Sequence, residues 1–185
     1  MNANNVTTGK RRTAGGIYRV AVGTSLPTDA STTLAAAFKE IGYISQDGVT
    51  NSLSKTTNDI KEWGGETVDS EVTEQTDHWK FKALESMSLD TLKAVFGDAN
   101  VSESSGAVTV VVKAGTFGEG VWVIDTAMKG GRLKRVVIPD GKIVSLGDIV
   151  YNGSDAVAYD IDLAAFYNST IGGTHKEYIS APTST

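Results

Sequence analysis

The sequence predicts a mainly β protein: an antiparallel sandwich or barrel with one flanking helix, a long extended loop and flexible terminal arms. Three observations carry this. From residue 107 onward, the Val- and Ile-rich runs "AVTVVVKA", "GVWVIDTAM", "RLKRVVI", "KIVSLGDIV" and "AVAYDIDLAAFY" follow one another with turn signals between them. A single segment, "SMSLDTLKAVFG", has an uninterrupted apolar stripe at helical spacing. The chain has 185 residues, 40% hydrophobic and 21% charged, enough for one domain with a true core.

Residues 1–16, "MNANNVTTGKRRTAGG", lack periodicity and read as a flexible arm, with Lys10, Arg11 and Arg12 as a solvated terminal charge cluster. "GIYRVAVGT" reads as a strand, with Ile17, Arg19 and Ala21 on one face and Tyr18, Val20 and Val22 on the other. "DASTTLAAAFKEIG" predicts a short helix, since Leu34, Phe38 and Ile41 share a face and Gly42 is placed as a C-terminal cap. Asp47-Gly48 marks a turn, and the polar residues after it predict an exposed loop over residues 45–65.

The next stretch changes parity. Val68 and Val72 are even-numbered, whereas Trp79, Phe81 and Ala83 are odd. One straight strand cannot keep both sets on one face, so a hairpin turning near Glu74, Gln75 and Thr76 is expected. It sets Val68, Ser70 and Val72 against the Trp79 and Phe81 side, with Asp69 and Glu71 across from Lys80 and Lys82. A helix over 88–96 follows, with Ser88 as N-cap, Asp90 in its first turn, Leu89, Leu92, Val95 and Phe96 as its buried stripe, and Gly97 closing it. The strands beyond are divided by "GTFGEG", "KGG", Pro139-Asp140-Gly141 and Asn152-Gly153. The sandwich domain is expected over 17–175, and the polar segment 176–185 is read as a flexible tail.

Composition removes several functions. There are no cysteines, which excludes disulfides and thiolate chemistry and suits a reducing cytoplasm. No apolar run is long enough for a membrane helix or a signal core, so a soluble, unexported protein without membrane partners is expected. A net charge of −5 argues against gripping nucleic acid. His78 and His175 have no evident catalytic company and read as surface histidines. Asp160 and Asp162 share a strand face but lack further ligands for a metal. No catalytic, cofactor or metal site is expected, and the chain is not read as an enzyme.

The ordered blocks "GYISQDGVT", "DIKEWGG", the Trp79 and Phe81 strand leading into "SLDTLKAVFG", "VVIPDGKIVSLGDIVYN", "AYDIDLAAF" and "GGTHKEYI" resemble the major tail tube proteins of long-tailed bacteriophages, over residues 17–179. The resemblance implies a fold shared with the tube protein of type VI secretion, six copies closing into a ring, and rings stacking into a hollow conduit for the genome. It also implies other tail proteins, such as tape measure and terminator, as partners, DNA passing without specific binding, and a place in the virion tail after assembly in the host cytoplasm. By that analogy the excursion over 47–65 and both arms are connectors, with Asp47, Gly48, Asp59, Ile60, Trp63, Gly64 and Gly65 as interface candidates.

Trp63 beside two glycines fits this reading on physical grounds. A tryptophan buries about 150–250 Å², and at the end of a polar loop it has little core of its own to enter. Gly64 and Gly65 let the chain turn back into the sheet. The competing reading folds Trp63 down as a lid on its own sandwich. Asp69, Glu71, Asp160 and Asp162, on outward strand faces, are candidates for lining the bore, where negative charge repels DNA and permits sliding; Lys80 and Lys82 nearby offer them partners instead. The alternative function is a monomeric adhesion or carbohydrate-binding sandwich, which predicts export.

Overall fold

The computed structural model describes residues 6–13, 16–113, 115 and 117–182. The outer parts of both expected arms, and Thr116 of the "GTFGEG" turn, lie outside the described residues. In chain order the elements are β1 (Lys10–Arg11), β2 (Ile17–Val20), β3 (Lys39–Glu40), β4 (Ile44–Lys61), β5 (Thr67–Ala83), α1 (Leu89–Phe96), β6 (Val101–Ser104), β7 (Ala107–Val110), β8 (Glu119–Ala127), β9 (Leu133–Leu146), β10 (Tyr159–Ala165) and β11 (Lys176–Ile179). One antiparallel sheet runs β3-β2-β8-β9-β10-β5-β4, with β1 on β8 and β11 on β9, and β6-β7 form a separate small hairpin. The path ends at β3 and β4, so the barrel is not closed.

The helix forms as the stripe predicts. Ser88 Oγ accepts from the Thr91 backbone N–H, Asp90 lies in the first turn, and Gly97 ends the helix at φ 90°. Leu92, Val95 and Phe96 pack into the main core with Trp79, Phe81, Trp122, Ile161 and Leu163. A second layer covers the reverse face, where Val20, Val121, Val123 and Val137 meet Phe38. On that same reverse face a buried ion pair joins Asp125 to Arg135 through contacts of 2.7 and 2.8 Å. The hydrogen bonds that Arg135 donates to the Asp125 carboxylate raise the Arg135 pKa above its usual value. Arg135 also donates to the carbonyls of Asp29 and Thr32, tying the loop before β3 to the sheet.

Several expectations are corrected. The helix expected from "DASTTLAAAFKEIG" does not form. The Asp29 carboxylate accepts from the backbone N–H groups of Ser31 and Thr32, both at 2.6 Å, and this local turn competes with helical bonding. Leu34 and Phe38 then pack under the second layer and Ile41 enters the main core. Pro139-Asp140-Gly141 is not a turn: β9 continues through it, and one extra residue is absorbed between the pairs Gly120↔Gly141 and Trp122↔Ile138. Gly141 fits there because a Cβ would sit 2.6 Å from the Trp122 ring. The inner parts of both arms are strands, β1 on β8 and β11 on β9. Arg12 is no solvated charge; it contacts Asp125 at 2.8 Å and the Ala30 carbonyl.

The largest correction concerns residues 44–83. The expected loop and the expected hairpin near Glu74 are replaced by one long hairpin of an 18-residue strand, β4, and a 17-residue strand, β5. Asp47-Gly48 is an irregularity inside β4, between the pairs Ile44↔Ala83 and Val49↔Phe81, with Gly48 at φ 73°. The parity change in β5 is a bulge. Thr56 pairs with Glu74 and Thr57 with Val72, so Thr73 is the extra residue. It lets Val72 share a face with Trp79 and Phe81 although their parities differ.

Candidate assembly surface

Paired residues of antiparallel strands share a face, so the register assigns the paired side chains of the hairpin; Thr73 and Val68, at two register shifts, have no partner, and Val68 follows from its two-residue spacing to Ser70. Val49, Asn51, Leu53, Lys55 and Thr57 of β4 lie with Phe81, Trp79, Asp77, Gln75 and Val72 of β5. Near the body this face is core: Trp79 and Phe81 are buried and Val49 packs against them. Farther out it is bare, with Leu53, Val68 and Val72 each more than half exposed. The apolar surface of the sheet thus continues past the part of the molecule that covers it.

At the far end, residues 62–66 close the hairpin. Glu62 N–H donates to the Glu66 carbonyl and Gly65 N–H to the Glu62 carbonyl, both at 2.9 Å, with Gly65 at φ 93°. The glycines therefore serve as the turn that returns the chain to the sheet. Trp63 stands beside them at 103% exposure. It does not fold down onto its own sandwich. Asp59 accepts from Ser70 Oγ at 2.9 Å, and Ile60, opposite Asp69, is exposed on the other face. Gly64 lies in the turn, whereas Asp47 and Gly48 sit at the body end of β4, far from Trp63 along the strand.

The four acidic bore candidates share one face of the sheet. Asp69 and Glu71 pair with Ile60 and Asn58, while Asp160 and Asp162 pair with Lys82 and Lys80. The expected opposition of Asp69 and Glu71 to Lys80 and Lys82 does not occur, because β5 does not fold back on itself. Asp160 is exposed. Asp162 is engaged, 2.7 Å from His78 Nδ1 and 3.4 Å from Lys80 Nζ.

Both histidines have company that sequence reasoning missed. His175 Nδ1 lies 2.5 Å from Asp77 Oδ2, and Thr174 Oγ1 donates to the same oxygen at 2.7 Å. A carboxylate only accepts, so His175 carries its proton on Nδ1. Thr174 donates to the carboxylate and not to the imidazole, an arrangement that fastens segments together and activates no nucleophile. The signal for Asp77 was absent from the sequence, since its partners lie 26 and about 100 residues away.

Among the described residues, no helix is long and apolar enough to cross a membrane. No curated protein matches the chain. Among solved structures, the tube-terminating cap of the anti-feeding prophage is 8% identical, with a TM-score of 0.48, over 87% of this chain and 95% of that one. A chain from the virion of a native gene transfer agent particle is 12% identical, with a TM-score of 0.43, over 93% of this chain and all of that one. The family described as phage tail tube protein matches residues 1–180, and the chain belongs to it.

Proposed function

We propose that copies of this chain close into rings, six to a ring, and that the rings stack into the conduit through which the genome leaves, with the β4-β5 hairpin as the connector between copies. The observation that carries this is the bare apolar face of the hairpin, Leu53, Val68 and Val72, with Trp63 uncovered at its end. A two-stranded ribbon of this kind is marginal in water by itself, and a partner sheet or groove supplies the missing burial. Asp47, Gly48, Asp59, Ile60, Gly64 and Gly65 shape and flank this connector. The bore is proposed in a graded form: Asp69, Glu71 and Asp160 present acidity toward the channel, while Asp162 is offset by Lys80 and His78. Tape measure and terminator proteins are the proposed further partners, and the host cytoplasm the site of assembly.

Electron microscopy of the purified protein over a concentration series tests the connector. Rings or hollow filaments are expected from the parent, and dispersed particles from Trp63→Ala at the same concentration with an unchanged thermal midpoint. A mutant that assembles like the parent, or a parent that stays dispersed at every concentration, overturns the proposal. For the bore, Asp160→Lys is expected to slow DNA exit from reconstituted tails; unchanged exit removes Asp160 from the channel wall.

A further inference from the structure

The hairpin leaves the body at a fork. β10 pairs with β5 only as far as Ala164↔His78, and past that point the chain continues through residues 166–175 into β11, which pairs with β9 and not with β5. From Asp77 outward, then, no strand among the described residues borders β5 on that side. Asp77 sits in the crotch of the fork, its side chain fully enclosed. It accepts from three donors on both arms: Asn51 Nδ2 of β4 at 2.7 Å, and Thr174 Oγ1 and His175 Nδ1 of the segment entering β11. The His175 ring also stands edge-on to Trp79, centroids 5.2 Å apart.

We propose that Asp77 is the positioning residue that fixes the angle of the hairpin to the body, with Thr174 and His175 as the strut that holds it. A buried carboxylate keeps its place only while its donors are satisfied, so hairpin and strut lock each other. Without the lock, the ribbon pivots where β10 stops, and its apolar face no longer meets the next copy at a defined angle. The inference rests on the reading that the hairpin docks on another copy, but the lock itself is a property of the monomer.

The absence of cysteines makes a clean distance measurement possible. Spin labels at Glu66→Cys, beside the hairpin turn, and Ser145→Cys, on β9, are expected to give one narrow distance maximum in the monomer. His175→Phe keeps the ring against Trp79 and removes the donor; together with Thr174→Val it is expected to lose that single maximum and to abolish filaments. His175→Asn restores an N–H at the same place and is expected to recover both. Because these substitutions lie on the strut, they leave the hairpin's own sequence intact, and Asp77→Ala serves as the stronger variant if it folds. An unchanged distribution in His175→Phe/Thr174→Val overturns the lock even if filaments form. A parent that shows the lock yet never assembles overturns the docking reading and leaves the lock standing.

Discussion

Arg19 lies on a buried strand and is itself 9% exposed, and every arm of its guanidinium is occupied. Nε and Nη2 donate to the Glu119 carbonyl, and Nη1 and Nη2 fork onto the two oxygens of Asp98 at 3.2 and 2.8 Å. The hydrogen bond from Arg19 is the main reason that the Asp98 pKa falls below its ordinary value of 3.8. A carboxylate whose pKa is lower folded than unfolded adds stability that is fully present above 3.8 and lost as pH drops through the folded value. Asp29, lowered most by the hydroxyl of Thr32 and then by backbone donors, acts in the same direction. Asp98→Asn is therefore expected to cost about 0.5–1 kcal/mol at pH 7, a surface-pair magnitude chosen because the carboxylate is 59% exposed. Thermal melts of parent and variant across pH check this: the gap is expected to close as pH falls from 3.8 through the lower folded value, and a gap constant with pH removes the ion pair as its cause.

At the scale of elements, the bulge at Thr73 reconciles the two parities of β5 without itself carrying the apolar face. Deleting Thr73 makes the ladder regular: Thr56 still meets Glu74, Thr57 still meets Val72, and Val72 then stands six residues from Trp79, an even spacing that keeps it on the same face. The body is expected to melt within about 0.5 kcal/mol of the parent, since these positions are exposed. Sedimentation is expected to show assembly retained in the Thr73 deletion and lost in Val68→Ser/Val72→Ser, and a double variant that assembles like the parent would detach the valine face from assembly. Where α1 meets the start of β8, Gly118 is in the opposite situation: a Cβ would fall 1.6 Å from the Ala94 carbonyl oxygen. Gly118→Ala is expected to cost about 2–3 kcal/mol, read as a drop in the denaturation midpoint.

These elements also mark what was legible in advance. The helix was readable because Ser88, its stripe and Gly97 are local signals. The strands from residue 119 onward were readable by composition, but not their continuity: Pro139-Asp140-Gly141 has turn chemistry, yet Trp122 holds it in the sheet from across the ladder. The parity change in β5 was visible. A turn and a bulge both reverse parity, and only pairing with the distant polar strand β4 separates them. Of the site, Trp63 and its glycines could be found from sequence, whereas the Asp77 fork depends on segments that meet only in the fold.

At the scale of the whole molecule, charge is distributed unevenly. Residues 53–74 hold six acidic residues against Lys55 and Lys61, a net −4 out of the chain's −5. On the proposed reading the hairpin is both the apolar connector and the main source of repulsion between copies. Salt separates the two roles. Exposed charges are screened beyond about 10 Å at 0.1 M ionic strength, while apolar burial is not weakened and is strengthened by sulfate. The concentration needed for filaments is expected to fall as sodium chloride rises from about 0.02 to 0.3 M, and to fall further in sodium sulfate. Glu62→Lys/Glu66→Lys, at the hairpin end, is expected to flatten the chloride dependence while leaving the sulfate effect, because it removes repulsion and keeps Leu53, Val68 and Val72 in place. Light scattering across the two salt series reads both. A threshold that rises with salt would mean that the acidic hairpin is held by attraction, against a basic surface such as Lys10, Arg11, Lys129 and Arg132 of the next copy, and that burial of the valine face is not what drives assembly.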